Sequence, residues 1–318
     1  MIDILYLIIG IAGILWGADR LTDGASALAR RFRVSELVIG LTVVAFGTSL
    51  PEFVISFVSA LRGSSELSMG NIIGSNIFNT LTIVGVSALF CPIAVGRSVV
   101  RKDMPFALLA SLVLAAMSFD TFLSGTGEDV ITRGEGLVLL AFFTIFMGYT
   151  FSIARNGGEQ EDTQEQIAVV SYARIVICLL TGLAALVIGG RLFVDGATGI
   201  ALAMGVSETI VGLTIVAAGT SLPELATSVV AARKGSSALA VGNVIGSNVF
   251  NIFWVVGCSA VAAPLDAGVV SAADFALMVF GLLLLWLFSS TKFTVERWEG
   301  GVLVSAYLLY MAWLVAKA

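Results

Sequence analysis

The chain reads as an all-α membrane protein, with ten transmembrane helices set out as two inverted five-helix repeats. Three observations predict this. The 318 residues are 58% hydrophobic and only 12% charged, with a mean hydropathy of +1.01. A soluble domain carries about 25% charged residues, so most of this surface faces lipid. Apolar runs long enough to cross a hydrocarbon core of about 30 Å recur along the whole chain. Finally, one passage is written twice. GLTVVAFGTSLPE (residues 40–52) and GNIIGSNIFN (70–79) return as GLTIVAAGTSLPE (212–224) and GNVIGSNVFN (242–251). The same 172 residues separate Glu52 from Glu224 and Asn79 from Asn251. Across 34–88 and 206–260 roughly three positions in five are identical without a gap, the mark of an internal repeat.

The expected spans run in order at about 2–29, 35–61, 66–90, 99–119 and 135–155, then about 169–202, 207–232, 238–263, 270–289 and 299–316. The first follows an acidic N-terminus (Asp3) with no basic stretch, so it reads as a helix and not as a cleaved leader. The second and seventh carry GTSLPE, whose Pro51 and Pro223 break an apolar run. The third and eighth carry GxxxG (Gly70 and Gly74, Gly242 and Gly246), which lets helices approach closely. NGGEQEDTQEQ (156–166) is the one long polar run and reads as a solvated linker. The domains are thus a first repeat, 1–155, an acidic linker, 156–168, and a second repeat, 169–318. Within them the duplicated cores cover about 34–90 and 206–262.

Positive charge fixes the expected orientation. With the N-terminus outside, twelve basic residues fall inside: Arg30, Arg31, Arg33, Arg97, Arg101, Lys102, Arg155, Arg174, Arg233, Lys234, Lys292 and Arg297. Only Arg62, Arg133 and Lys317 fall outside, while Arg20 and Arg191 lie within spans. Both termini are therefore expected outside. Five spans per half is an odd number, so the second copy enters from the opposite side. That arrangement places a polar site near the midplane, between repeats.

The motif residues are suited to hard cations. Proline removes a backbone donor and crowds the preceding turn, which frees carbonyl oxygens near 47–48 and 219–220. Each GTSLPE thus offers carbonyls, two hydroxyls and a carboxylate, all oxygen ligands. Asn71, Ser75 and Asn79 recur every fourth residue and share a helix face, as do Asn243, Ser247 and Asn251. An intramembrane carboxylate can instead be a structural partner of Arg20 or Arg191, but neither arginine has a counterpart in the other repeat. Asp23 and Asp195, and Glu36 and Glu208, also correspond across the repeats; near span ends they suit solvated or capping roles. The chain has no histidine, which removes histidine triads, HExxH zinc sites and histidine proton relays. Cys91, Cys178 and Cys258 form no CxxC and read as small buried hydrophobes. No enzyme activity, cofactor or nucleic-acid partner is expected.

With GTSLPE and GxxxGSNxxN in two inverted copies, the chain resembles the cation/calcium antiporters, and among them the compact prokaryotic sodium/calcium exchangers. The resemblance covers nearly the whole chain. It implies a monomeric antiporter of a prokaryotic plasma membrane that carries Ca²⁺ and Na⁺ by alternating access, with its second, third, seventh and eighth helices building the cation sites. Glu52 and Glu224 are then the shared acidic ligands. Thr48 and Thr220 supply carbonyls, and Ser49, Ser221, Ser75 and Ser247 supply hydroxyls. Ala45 and Ala217 give carbonyls to outer sodium sites, and Asn79 and Asn251 complete the centre. The long first and sixth helices slide across this core. Some members carry aspartate at the position of Asn251, so this centre has two acids. One Ca²⁺ balances them and three Na⁺ leave one positive charge. Stoichiometry and counter-ion (Na⁺, H⁺, or Na⁺ with K⁺) stay open, and a cation channel would use the same oxygens.

Overall fold

The computed structural model describes residues 2–125, 128–156, 171–205, 217–268 and 270–317. Regular structure among them is helical apart from four two-residue strands. The helices are α1 Ile2–Phe32, α2 Glu36–Thr48, α3 Leu50–Leu61, α4 Ser65–Phe90, α5 Met104–Ser118, α6 Asp120–Ser124 and α7 Arg133–Asn156. The second half holds α8 Tyr172–Ala203, α9 Ala217–Gly219, α10 Leu222–Arg233, α11 Ser237–Ala262, α12 Ala272–Lys292 and α13 Arg297–Lys317. Seven of these are long and apolar enough to cross a membrane, and α2 and α3 meet the same test only when taken together, with a bend of 49° between them. The protein is an integral membrane protein. The expected fourth span is α5 preceded by a π-turn, Val99–Asp103. The expected seventh is described only from Ala217 onward, and the linker from residue 157 also lies outside the described residues.

Local chemistry sets these boundaries. Asp3 in the first turn of α1 and Arg30 and Arg31 in its last complement the helix dipole. The Ser35 hydroxyl caps α2 by accepting the Val38 N–H at 3.4 Å. Pro51 and Pro223 stand in the first turn of α3 and α10, where no intrahelical donor is required. The preceding Ser49 (φ −83°, ψ 5°) and Ser221 (φ −90°, ψ 9°) leave helical geometry in the same way. Ser271 and Asp274 close a reciprocal capping box on α12.

Burial orders the helices. In α4 and α11, 83% of the most apolar window is buried, against 17–22% in α1, α7 and α13. The two GSN-bearing helices are therefore the centre of the bundle, and α1, α7 and α13 present much of their surface to lipid. Ile72, Ile73, Ile77, Val249 and Phe253 pack the central core. Two short ladders tie the halves together. β1 (Ile93–Ala94), which follows α4, pairs antiparallel with β4 (Thr294–Val295), which precedes α13. β2 (Val130–Ile131), before α7, pairs with β3 (Leu265–Asp266), after α11. Each half thus completes a ladder of the other.

α1 and α8 have 31 and 32 residues, about 46–48 Å of helix at 1.5 Å per residue. They pack along a seam of glycines. A β-carbon on Gly17 would lie 2.8 Å from the Gly182 carbonyl oxygen, and one on Gly182 would lie 2.7 Å from the Leu21 nitrogen. The backbones meet directly, as small residues permit in membranes.

Candidate cation-binding site

At each helix break the two repeats exchange hydrogen bonds. The Ser49 hydroxyl donates to Glu224 Oε1 at 3.1 Å, and the Ser221 hydroxyl donates to Glu52 Oε1 at 2.9 Å. Each glutamate is oriented by the opposite copy. Its own backbone is held too: Asn71 Nδ2 donates to the Glu52 carbonyl (3.3 Å) and Ser56 Oγ (2.9 Å). Asn243 Nδ2 does the same to the Glu224 carbonyl (3.4 Å) and Ser228 Oγ (3.0 Å). The Thr48 hydroxyl lies 3.1 Å from Asn243 Oδ1, and the Thr220 hydroxyl donates to Asn71 Oδ1 at 3.4 Å. These threonine hydroxyls are thus engaged in structure. The Ala45 carbonyl accepts the Ser49 N–H at 3.0 Å.

Deeper in the bundle, π-turns at Asn79–Ile83 and Phe250–Val256 carry the two centre asparagines. π-turns inside helices often mark functional positions. Asn79 Nδ2 donates to Asn248 Oδ1 at 3.2 Å, and Asn251 Nδ2 donates to Asn76 Oδ1 at 3.3 Å. Asn248 Nδ2 in turn donates to Thr80 Oγ1 at 2.8 Å. With both amide nitrogens anchored, the Oδ1 atoms of Asn79 and Asn251 are left without partners.

They are not alone. Among the described residues, Glu52 Oε2, Glu224 Oε2, Ser75 Oγ and Ser247 Oγ are also buried with no hydrogen-bond partner. These six oxygens form three repeat-related pairs, and Ser87 Oγ and Ser259 Oγ, further along α4 and α11, form a fourth. Glu52, Glu224, Asn79, Asn251 and Ser247 are 0% exposed and Ser75 is 1% exposed. Each unsatisfied buried polar group costs about 1–3 kcal/mol, and more when charged. The cost is borne twice, at matched positions. Among the described residues no lysine or arginine pairs with either glutamate. Arg20 stacks on Trp16 and Arg191 lies 4.0 Å from Asp195, so neither is the structural partner weighed above. No three carboxylate or thiol groups cluster among the described residues. The charge here is two carboxylates among neutral oxygens, a donor set for Ca²⁺ or Na⁺.

The near-end acids fall in ion pairs and hydrogen bonds. Asp23 pairs with Lys234 at 2.7 Å and Glu36 accepts the Ser26 hydroxyl at 2.6 Å; Glu208 lies outside the described residues. Sequence reasoning missed Asn76 and Asn248. They sit in the same GSN triplet as Ser75 and Ser247, but four-residue spacing puts them off the polar face. The signal that could have found them is their repetition at the shared offset.

The family model described as sodium/calcium exchanger protein matches residues 2–152 and 174–316. The chain is 32% identical over 341 residues to the sodium/calcium exchanger MaX1 of Methanosarcina acetivorans, covering 98% of this chain and 97% of that protein. It is 36% identical over 320 residues to the inner membrane protein YrbG of Escherichia coli, covering 97% and 95%. Among solved structures, the sodium-calcium exchanger NCX_Mj soaked with 100 mM Na⁺ and 10 mM Sr²⁺ superposes with a TM-score of 0.83 at 32% identity, covering 98% of each chain. The paired motifs, the fold and the full-length matches agree, and the chain belongs to the sodium/calcium exchanger protein family.

Proposed function

We propose that this protein is a secondary antiporter that exchanges Ca²⁺ for Na⁺ by alternating access, through sites shared between two inverted five-helix repeats. The observation that carries this is the set of three repeat-related pairs of buried, unpartnered oxygens on Glu52, Ser75, Asn79 and their counterparts. Bound cations satisfy them. Glu52 and Glu224 supply the charge. Ser75, Ser247, Asn79 and Asn251 supply neutral oxygens, while Ser49 and Ser221 steer the carboxylates and can add a lone pair each. Thr48 and Thr220 add carbonyls, and the carbonyls of Ala45 and Ala217 serve outer sodium sites. Two carboxylates match one Ca²⁺ in charge, so Ca²⁺ and several Na⁺ compete for the same oxygens. One chain supplies every ligand, so the working unit is a monomer.

The mechanism follows from differential closure. Two halves that enter the membrane from opposite sides can expose one site in turn to each face. The α1–α8 glycine seam has no interlocking side chains at its closest approach, which suits sliding. A channel with the same oxygens is the competing reading. ⁴⁵Ca²⁺ uptake into proteoliposomes separates them: the antiporter gives saturable uptake that requires Na⁺ on the opposite side. Uptake that persists without any trans cation contradicts it. Loading vesicles with K⁺, or imposing a pH step, identifies the counter-ion.

Orientation gives a second test. The twelve-to-three distribution of basic residues supports an acidic linker inside and both termini outside. In a background lacking Cys91, Cys178 and Cys258, Gly158→Cys should resist an impermeant thiol reagent added to intact cells and react after permeabilisation. Labelling from outside would reverse the orientation.

A further inference from the structure

The two long helices meet the broken helices of the opposite half differently in this structure, and charged residues at repeat-related positions track the difference. At one end, α1 lies along α10, with Ala18, Leu21 and Ala25 packed near Ala231 and Ala232. Lys234, just past α10, reaches back to α1. Its Nζ is 2.6 Å from Asp19 Oδ1 and 2.7 Å from Asp23 Oδ1, and lies 3.3 Å from the Asp19 carbonyl. At the other end, α8 stands away from α3 across a cavity of about 660 Å³. Val54 and Ile55 line one wall, Val187, Arg191 and Asp195 the other, and Thr220 lies on its lining.

The shared offset relates Lys234 to Arg62, Asp23 to Asp195, and Asp19 to Arg191. Two of the three keep their charge and the third reverses it. Arg191 pairs within its own helix with Asp195 at 4.0 Å. Among the described residues Arg62 has no ion-pair partner. If α8 closed on α3, Arg62 would meet one aspartate already engaged and one like charge. Lys234 meets two aspartates.

We propose that Lys234, Asp19 and Asp23 form an ionic clamp that holds one end of the path shut, and that Arg191 leaves the opposite end without an equivalent clamp. The clamp biases the protein toward the state seen here, in which α8 stands apart from α3 while Glu52 and Glu224 stay buried. A contact present in one state and absent from the other shifts their ratio by its differential energy. Exposed single pairs contribute little; one lysine held by two carboxylates is a small network, and a shift of roughly threefold to tenfold in the ratio is expected. The inference rests on the two-state antiporter reading, but its test needs no flux.

The test is a distance measurement by double electron–electron resonance. Spin labels are placed at Leu61→Cys and Leu202→Cys, at the cavity-side ends of α3 and α8, after Cys91, Cys178 and Cys258 are replaced by serine. The parent should show mainly the longer separation. Lys234→Met should raise a shorter-distance population at least threefold, and Lys234→Arg should keep the parent distribution. Arg191→Asp, which writes the charge pattern of the first copy into the second, should also raise the shorter population. A parent-like distribution in Lys234→Met overturns the clamp, and a parent-like distribution in Arg191→Asp overturns the role given to Arg191. Loss of ⁴⁵Ca²⁺ exchange in the parent with these distance shifts intact would count against the antiporter reading alone.

Discussion

Glu52→Gln and Glu224→Gln should each abolish Ca²⁺ exchange while leaving folded protein that can be purified. Each glutamate is fully buried, takes one hydrogen bond from a serine of the other repeat and keeps Oε2 free. Glutamine preserves the shape and can still accept that bond, so packing survives. The charge does not survive, and a divalent ion must then shed water for one carboxylate where it had two. Removing one partner of a buried charge pair costs about 2–5 kcal/mol, which corresponds to Ca²⁺ binding weakened roughly 30-fold to several thousand-fold. ⁴⁵Ca²⁺ uptake at fixed Na⁺ gradient reads the loss, and gel filtration in detergent confirms the fold. Wild-type exchange in both variants would remove the shared site.

The second large effect lies away from the ions. Gly17→Val places a side chain where a β-carbon already meets the Gly182 carbonyl oxygen at 2.8 Å and the Leu186 nitrogen at 2.9 Å. These are backbone atoms and cannot rotate away, so α1 must separate from α8. Overpacking of this kind costs about 1–3 kcal/mol, and a forced gap also removes the close sliding contact. The expected result is a lower thermal unfolding midpoint in detergent and exchange reduced at least tenfold. Gly148→Val, where nothing lies within 4 Å of the added β-carbon, should leave stability unchanged. Equal stability of Gly17→Val and the native protein would show that the seam does not constrain the two helices.

These expectations draw on different amounts of sequence information. Glu52 and Glu224 were legible because a carboxylate in an apolar run is rare and each copy vouches for the other. The break at Ser49 and its counterpart Ser221 was legible because proline cannot continue the hydrogen-bond ladder. The inward turn of the asparagines was only partly so. Asn79 and Asn251 lie in π-turns, and one added residue rotates a helix face by about 100°, which a fixed four-residue spacing does not anticipate. The exchange of serine–glutamate bonds between copies depends on how the halves cross, and periodicity within one helix carries no record of that. Likewise Lys234, Asp19 and Asp23 are plain surface charges in the sequence; only packing of α10 along α1 brings them together.

The central claim is that one cation is held by both repeats at once. Anomalous diffraction from crystals soaked in Sr²⁺, a Ca²⁺ surrogate with a strong signal, tests it directly. A strontium peak within about 2.8 Å of the carboxylate oxygens of both Glu52 and Glu224, slightly beyond the 2.3–2.6 Å typical of Ca²⁺, is the predicted result. A peak held by one repeat alone, or by acids elsewhere such as Asp19 and Asp23, would contradict the account.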